Sequence, residues 1–142
     1  MRVLSDTVVP VPEGPVAYRY LLRRRGPWMA LVPPLSALAI GTVLLNWGGS
    51  AVRGFGGFLL TTMAAPTLLL LGVPVSGGTL RYVIAGVTSF VLWLALGSWA
   101  ASRATRVPVA SWRDWWREFA WLVIPVWIGA AVAFAVAYVV VL

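Results

Sequence analysis

From Trp28 to Trp47 the chain runs without one charged side chain, and three similar stretches follow at about 55–73, 82–101 and 119–142. A helix needs about 20 mainly apolar residues to cross a hydrocarbon core roughly 30 Å thick. Inside lipid, only a helix or a closed barrel satisfies every backbone N–H and C=O. The pattern therefore predicts an all-α integral membrane protein, a small helical bundle of four hydrophobic segments. Composition points the same way: 61% of residues are hydrophobic and 11% are charged. Soluble domains carry about 25% charged residues, so this chain cannot coat a globular surface with charge.

The chain reads as two regions. Residues 1–26 form an N-terminal tail with a juxtamembrane cluster of Arg19, Arg23, Arg24 and Arg25, and residues 27–142 form the transmembrane bundle. No cleavable signal sequence is read, because the first apolar run follows an acidic, Pro-containing stretch and is too long for a typical signal core; the tail is expected to be retained. Pro10, Pro12, Gly14 and Pro15 favour an extended start, and Val16–Arg25 suits a short helix on the headgroups.

The second segment is the weakest helix. Gly54, Gly56 and Gly57 crowd its start, Pro66 sits at its middle, and Gly72 and Pro74 close it. The local pattern slightly favours a kinked span over a broken, re-entrant one, which needs other protein to shield its irregular backbone. Between segments three and four, Trp112, Trp115, Trp116 and Phe119 fall on one helical face. Ser111 precedes them as an N-cap with Asp114 three residues on. An interfacial amphipathic helix over about 111–118, leading into segment four, is the expectation.

Arginine placement bears on orientation. The cluster at Arg19–Arg25 puts the N-terminus in the cytoplasm under the positive-inside rule. Four full spans then divide the arginines six inside against five outside, whereas a re-entrant second segment gives nine against two. The expected location is the cell membrane, multi-pass, with the N-terminus cytoplasmic.

Several chemistries are excluded by residue type. The chain has no Cys and no His, and all eleven basic residues are arginine. Thiolate nucleophiles, His general bases, Cys/His zinc sites and lysine Schiff bases are therefore absent. No ionisable Asp, Glu or Arg lies within the four segments, although such residues are the usual markers of proton relays and ion paths. Asp114 and Glu118 alternate with Arg113 and Arg117, so ion pairing explains them better than metal binding. No catalytic residue, metal site or cofactor is expected. The +7 net charge is read as membrane topology and contact with anionic phospholipid headgroups, not nucleic acid.

Two residue sets remain as candidates. Small residues recur at four-residue spacing in Ala37 and Gly41, in Gly57, Thr61 and Ala65, in Gly97 and Ala101, and in Gly129, Ala133 and Ala137; such stripes let membrane helices approach closely. The headgroup set is Arg19, Arg23, Arg24, Arg25, Trp28, Trp47, Trp112, Arg113, Trp115, Trp116 and Arg117. Trp93 and Trp127 lie deeper, where an indole N–H needs a partner. The leading reading is a non-catalytic accessory subunit of a larger membrane complex, a multi-subunit transporter or respiratory assembly, whose partners are other integral membrane subunits. The alternative is a small homo-oligomeric channel or lipid carrier. A headgroup-directed enzyme ranks third, since only Asp114 or Glu118 is available as a base.

Overall fold

Where proline removes the backbone N–H, a helix loses a hydrogen bond, and two such places organise this fold. The computed structural model describes residues 14–72 and 78–141, the side chains of Ala137 and Val141 excepted. Most of the N-terminal tail with Arg2, Asp6 and Glu13, the end of the second segment at Val73 and Pro74, Ser76-Gly77 and Leu142 lie outside the described residues. Every element described is helical: α1 (Pro15–Met29), α2 (Val32–Asn46), α3 (Ala51–Ala64), α4 (Thr67–Leu70), α5 (Thr79–Ala104) and α6 (Trp112–Val141).

Pro15 opens α1 at its first turn, where the missing N–H costs nothing. Pro33 and Pro34 then deprive the carbonyls of Met29 and Ala30 of their helical donors, and the helix slackens at Ala30–Leu31. It does not stop there. Ala30 N–H donates to Gly26 O, Leu31 N–H to Trp28 O, and Leu35 N–H to Leu31 O. Pro15–Asn46 is thus one 32-residue stretch, about 48 Å long at 1.5 Å per residue. The sequence suggests a short helix over Val16–Arg25 and a first segment from Trp28. The structure has helix in both, joined through 26–27 without a break.

Three helices are long and apolar enough to cross a membrane: Pro15–Asn46, Thr79–Ala104 and Trp112–Val140. The second expected segment is not among them. With 14 residues, α3 reaches only about 21 Å, short of a roughly 30 Å core. It stops at Ala64, and α4 resumes at Thr67 because Pro66 cannot donate to the preceding turn.

The course of the chain through this break follows from its partners. α3 runs antiparallel to α2: Arg53 meets Trp47, and Gly57 and Thr61 meet Gly41. It also runs antiparallel to α6, with Phe55 and Phe58 against Phe134 and Met63 against Trp127. Beyond the break the partners on α5 step backwards, from Trp93 at Ala64, to Ala85 and Ser89 at Thr67, to Arg81 at Leu71. The chain therefore climbs to the middle of the bundle and returns toward the end it came from.

The helix expected over about 111–118 leads into the fourth segment without a break. Trp112–Val141 is continuous, and the aromatic face passes directly into Val123 and Ala130, both buried. Because that stripe keeps the same helical phase into segment four, burial against α5 and α1 holds all of it in one helix. The main core gathers Leu22 and Ala30 of the first stretch, Trp93, Leu96, Ala100, Ala101 and Ala104 of α5, and Trp115, Phe119 and Val123 of α6.

Candidate functional site: a broken helix held by two tryptophans

A helix that ends inside a bundle leaves its last carbonyls without N–H partners. Around Ala64–Pro66 these groups are met by side chains. Trp93 Nε1–H donates to Ala64 O at 2.7 Å, and Trp127 Nε1–H donates to Met63 O at 3.3 Å. Leu68 N–H takes Ala65 O at 3.0 Å. Thr61 and Thr62 donate back to Gly57 O and Phe58 O, which holds the hydroxyls within α3. The two deep tryptophans, whose partners the sequence does not reveal, thus clamp adjacent carbonyls of the break from α5 and α6.

The start of α4 is tied by hydroxyls. Thr67 Oγ1–H donates to Ala85 O at 2.9 Å, and Thr67 Oγ1 lies 2.6 Å from Ser89 Oγ. Thr88 Oγ1–H reaches Thr67 Oγ1 at 3.0 Å. No group in this cluster ionises near neutral pH; its hydroxyls exchange hydrogen bonds with one another and with the Ala85 carbonyl. A cavity of about 130 Å³ beside Ala64, Ala65 and Ser89 lies on one flank of the break. A groove of about 320 Å³ between Pro66–Leu70 and α6 lies on the other.

Small residues divide into used and unused faces. A Cβ on Gly41 would stand 2.9 Å from Gly57 O, and one on Gly57 would stand 2.8 Å from Gly41 O; the α2–α3 hairpin needs both glycines. Thr61 closes the same contact, and Ala37 is half-buried on α2. A Cβ on Gly97 would stand 2.5 Å from Ala30 Cβ and 2.8 Å from Pro27 Cα, and Ala101 is buried beside it. Ala65 sits at the break itself, not on a helix face, since the stripe it would continue ends with α3. Gly129 and Ala133 are exposed, with nothing within 4 Å of a Cβ at Gly129. The Ala137 side chain lies outside the described residues.

Gly26 is the contact the sequence reading misses. A Cβ there would meet Trp115 Nε1 at 2.6 Å and Ala101 Cβ at 3.0 Å. Its signal is present: Gly26 and Ala30 keep the same four-residue spacing, but they straddle the assumed boundary between tail and segment.

The arginine-rich end has its own order. Arg19 Nη2–H donates to Thr105 O at 2.6 Å, and Arg23 Nε–H to Thr105 Oγ1 at 2.9 Å. Cations at a helix C-terminus complement its dipole, so α1 caps α5. Arg103 Nε lies 3.0 Å from Glu118 Oε2, and Arg117 Nη2 lies 3.5 Å from Asp114 Oδ1. Ser111 N–H and Oγ–H both reach Asp114 Oδ2, at 3.0 and 2.7 Å, and Asp114 N–H returns to Ser111 Oγ at 3.3 Å. Arg24, Arg25, Trp28, Trp47, Arg113, Trp116 and Arg117 are exposed, and Trp112 is half-buried. Trp115 corrects the headgroup set. It is fully buried, stacked on Phe119 at 4.9 Å, with its N–H on Gly97 O at 3.3 Å. The glycines at 26 and 97 make room for the indole, and packing outweighs the interfacial preference of an exposed tryptophan.

By length and composition, three such helices define a multi-pass membrane protein. No protein-family model, no curated protein and no solved structure matches the chain.

Proposed function

We propose that the chain is a non-catalytic accessory subunit of a larger membrane complex, a multi-subunit transporter or a respiratory assembly. One observation carries this reading. Gly41, Gly57 and Gly97 are consumed inside the molecule, whereas Gly129 and Ala133 of α6 stand open and line the 320 Å³ apolar groove at Pro66–Leu70. Small residues are what membrane helices use to dock when lipid removes the hydrophobic drive, so this face suits a helix of another integral subunit. The hydroxyls at the break serve packing, and no group there offers acid–base chemistry.

In the bilayer we place three spans and a re-entrant α3–α4 hairpin, with the N-terminus and the 105–111 connection on the cytoplasmic side of the cell membrane. The return of α4 along α5 supports the hairpin. The charge supports the side: eight described arginines lie toward the α1 end, against Arg53 and Arg81 at the other. All three long helices exceed the hydrocarbon thickness, so α1, the end of α5 and the first turns of α6 form a cap at headgroup level. Arg24, Arg25, Arg113 and Arg117 on that cap face anionic phospholipid headgroups.

Mild-detergent affinity purification of a tagged chain from its native membrane, with co-eluting proteins identified by mass spectrometry, tests the subunit reading. One larger complex recovered in fixed ratio is the expected result, reduced when Gly129→Leu blocks the α6 face. Recovery of the chain alone as a defined oligomer refutes it. That outcome would favour the homo-oligomeric channel or lipid carrier, for which the hydroxyls flanking the break would supply the polar lining.

A further inference from the structure

Arg19 and Arg23 lie one turn apart on α1, and both lean on a single residue, Thr105. That contact uses one N–H of each guanidinium, although each carries five. The Arg19 Nε is buried with no hydrogen-bond partner among the described residues. The described carboxylates are committed elsewhere, Asp114 to Ser111 and Arg117, Glu118 to Arg103 and Arg117. Asp6 and Glu13 lie outside the described residues. Two fixed cations side by side, with unused donors and no described counter-ion, repel one another and favour an anion between them.

The space for one is present. Val16, Arg19, Tyr20 and Arg23 line a concavity of about 270 Å³. Its walls provide two guanidinium forks, a phenol and an aliphatic edge. Guanidinium forks match phosphate oxygens in pairs, the Tyr20 hydroxyl adds a donor, and Val16 offers apolar surface. Anchoring by Thr105 also restricts both side chains in advance, which lowers the entropy lost on binding.

We propose that Arg19, Arg23 and Tyr20 form a discrete site for a phosphate group, filled in the membrane by the head of an anionic phospholipid. The site rests on the membrane placement above, and it differs from general attraction to an anionic surface in stoichiometry and in residue dependence. One phosphate sits per chain. Arg24 and Arg25, equally charged and nearby in sequence, contribute nothing specific to it.

The test is native mass spectrometry of the full chain in a neutral detergent, titrated with phosphatidylglycerol or phosphatidylcholine, with inorganic phosphate as a separate arm. One retained phosphatidylglycerol per chain is expected, displaced poorly by phosphatidylcholine. The double variant Arg19→Gln/Arg23→Gln should bind about tenfold or more weakly, the loss of charge-assisted hydrogen bonds. Arg23→Gln alone keeps the Arg19–Thr105 contact and hence the fold, and should show part of that loss. Arg24→Gln/Arg25→Gln should keep the one saturable lipid with the parent's affinity and lose only weaker, non-saturating association. Saturable retention of inorganic phosphate with no lipid retained would keep the site and assign it to a free anion. Equal weakening in both double variants, or several lipids bound without saturation, overturns it in favour of diffuse charge. The need for detergent to keep the chain dispersed reads the membrane placement separately, so the two failures are distinguishable.

Discussion

Removing the Trp93 N–H while keeping its ring isolates the hydrogen bond that holds the break. β-(3-Benzothienyl)alanine at position 93 puts sulfur where the indole has nitrogen, with nearly the same shape. The donor lost is 2.7 Å from Ala64 O, and Trp93 is 2% exposed, so the bond lies away from bulk solvent. A buried carbonyl left unsatisfied costs about 1–3 kcal/mol in soluble proteins. Interhelical bonds in membrane proteins average nearer 0.6 kcal/mol, with a maximum of about 1.7, because the unfolded chain in lipid also finds partners. Ala64 has few alternatives, since its own helical donor, the Leu68 N–H, goes to Ala65 O and the chain turns away at Ala65. The upper part of the membrane range applies, giving a loss of about 1–1.7 kcal/mol. Trp93→Phe should lose more, about 2–4 kcal/mol, because it also leaves a void among Leu96, Phe119 and Ala64. The assay is reversible unfolding in mixed micelles followed by circular dichroism. A ¹³C label on the Ala64 carbonyl gives a local readout, its amide I band moving to higher frequency when the bond is lost. A benzothienyl variant as stable as the parent, with that band unmoved, would refute the clamp. The same replacement at Trp127, whose bond is 3.3 Å and half-buried, should cost less.

Other expectations follow from the same contacts. Gly26→Val and Gly97→Val should each destabilise by about 2 kcal/mol or more, since overpacking here meets atoms at 2.6 and 2.5 Å. Gly86→Ala, with nothing within 4 Å, should gain about 0.5–1 kcal/mol from helix propensity in the same unfolding assay; a loss as large as that at Gly97 would contradict the packing. Ser111→Ala removes the two Oγ bonds of the α6 cap, leaving the residue-111 N–H on Asp114 Oδ2, and should cost about 1 kcal/mol, read as fraying by hydrogen exchange at Trp112–Trp115. Because the chain has no cysteine, single cysteines report topology directly. Ser50→Cys and Thr79→Cys should react with an impermeant maleimide from one face and Val107→Cys from the other, whereas labelling of positions 50 and 79 from opposite faces would turn the hairpin into a full span.

Much of this protein was set by local chemistry that the sequence displays. Uncharged runs of about twenty residues, long enough to span as helix and free of strand-like alternation, pointed to lipid and helix. Pro66 marked a defect in the second segment, read from the sequence as a kink more than a break, and Ser111 with Asp114 marked the start of α6, both effects acting within one helical turn. Tertiary structure decided what depended on partners far along the chain. The acceptor of Trp93 lies 29 residues away and that of Arg19 lies 86 away. The sequence alone cannot tell a tryptophan bound for the headgroups from Trp115, because composition is identical and only the space left by Gly26 and Gly97 turns the ring inward. The same holds for the glycine stripes. Spacing marked all of them as able to pack, but helix length and the break at Pro66 chose which were buried and left Gly129 and Ala133 open.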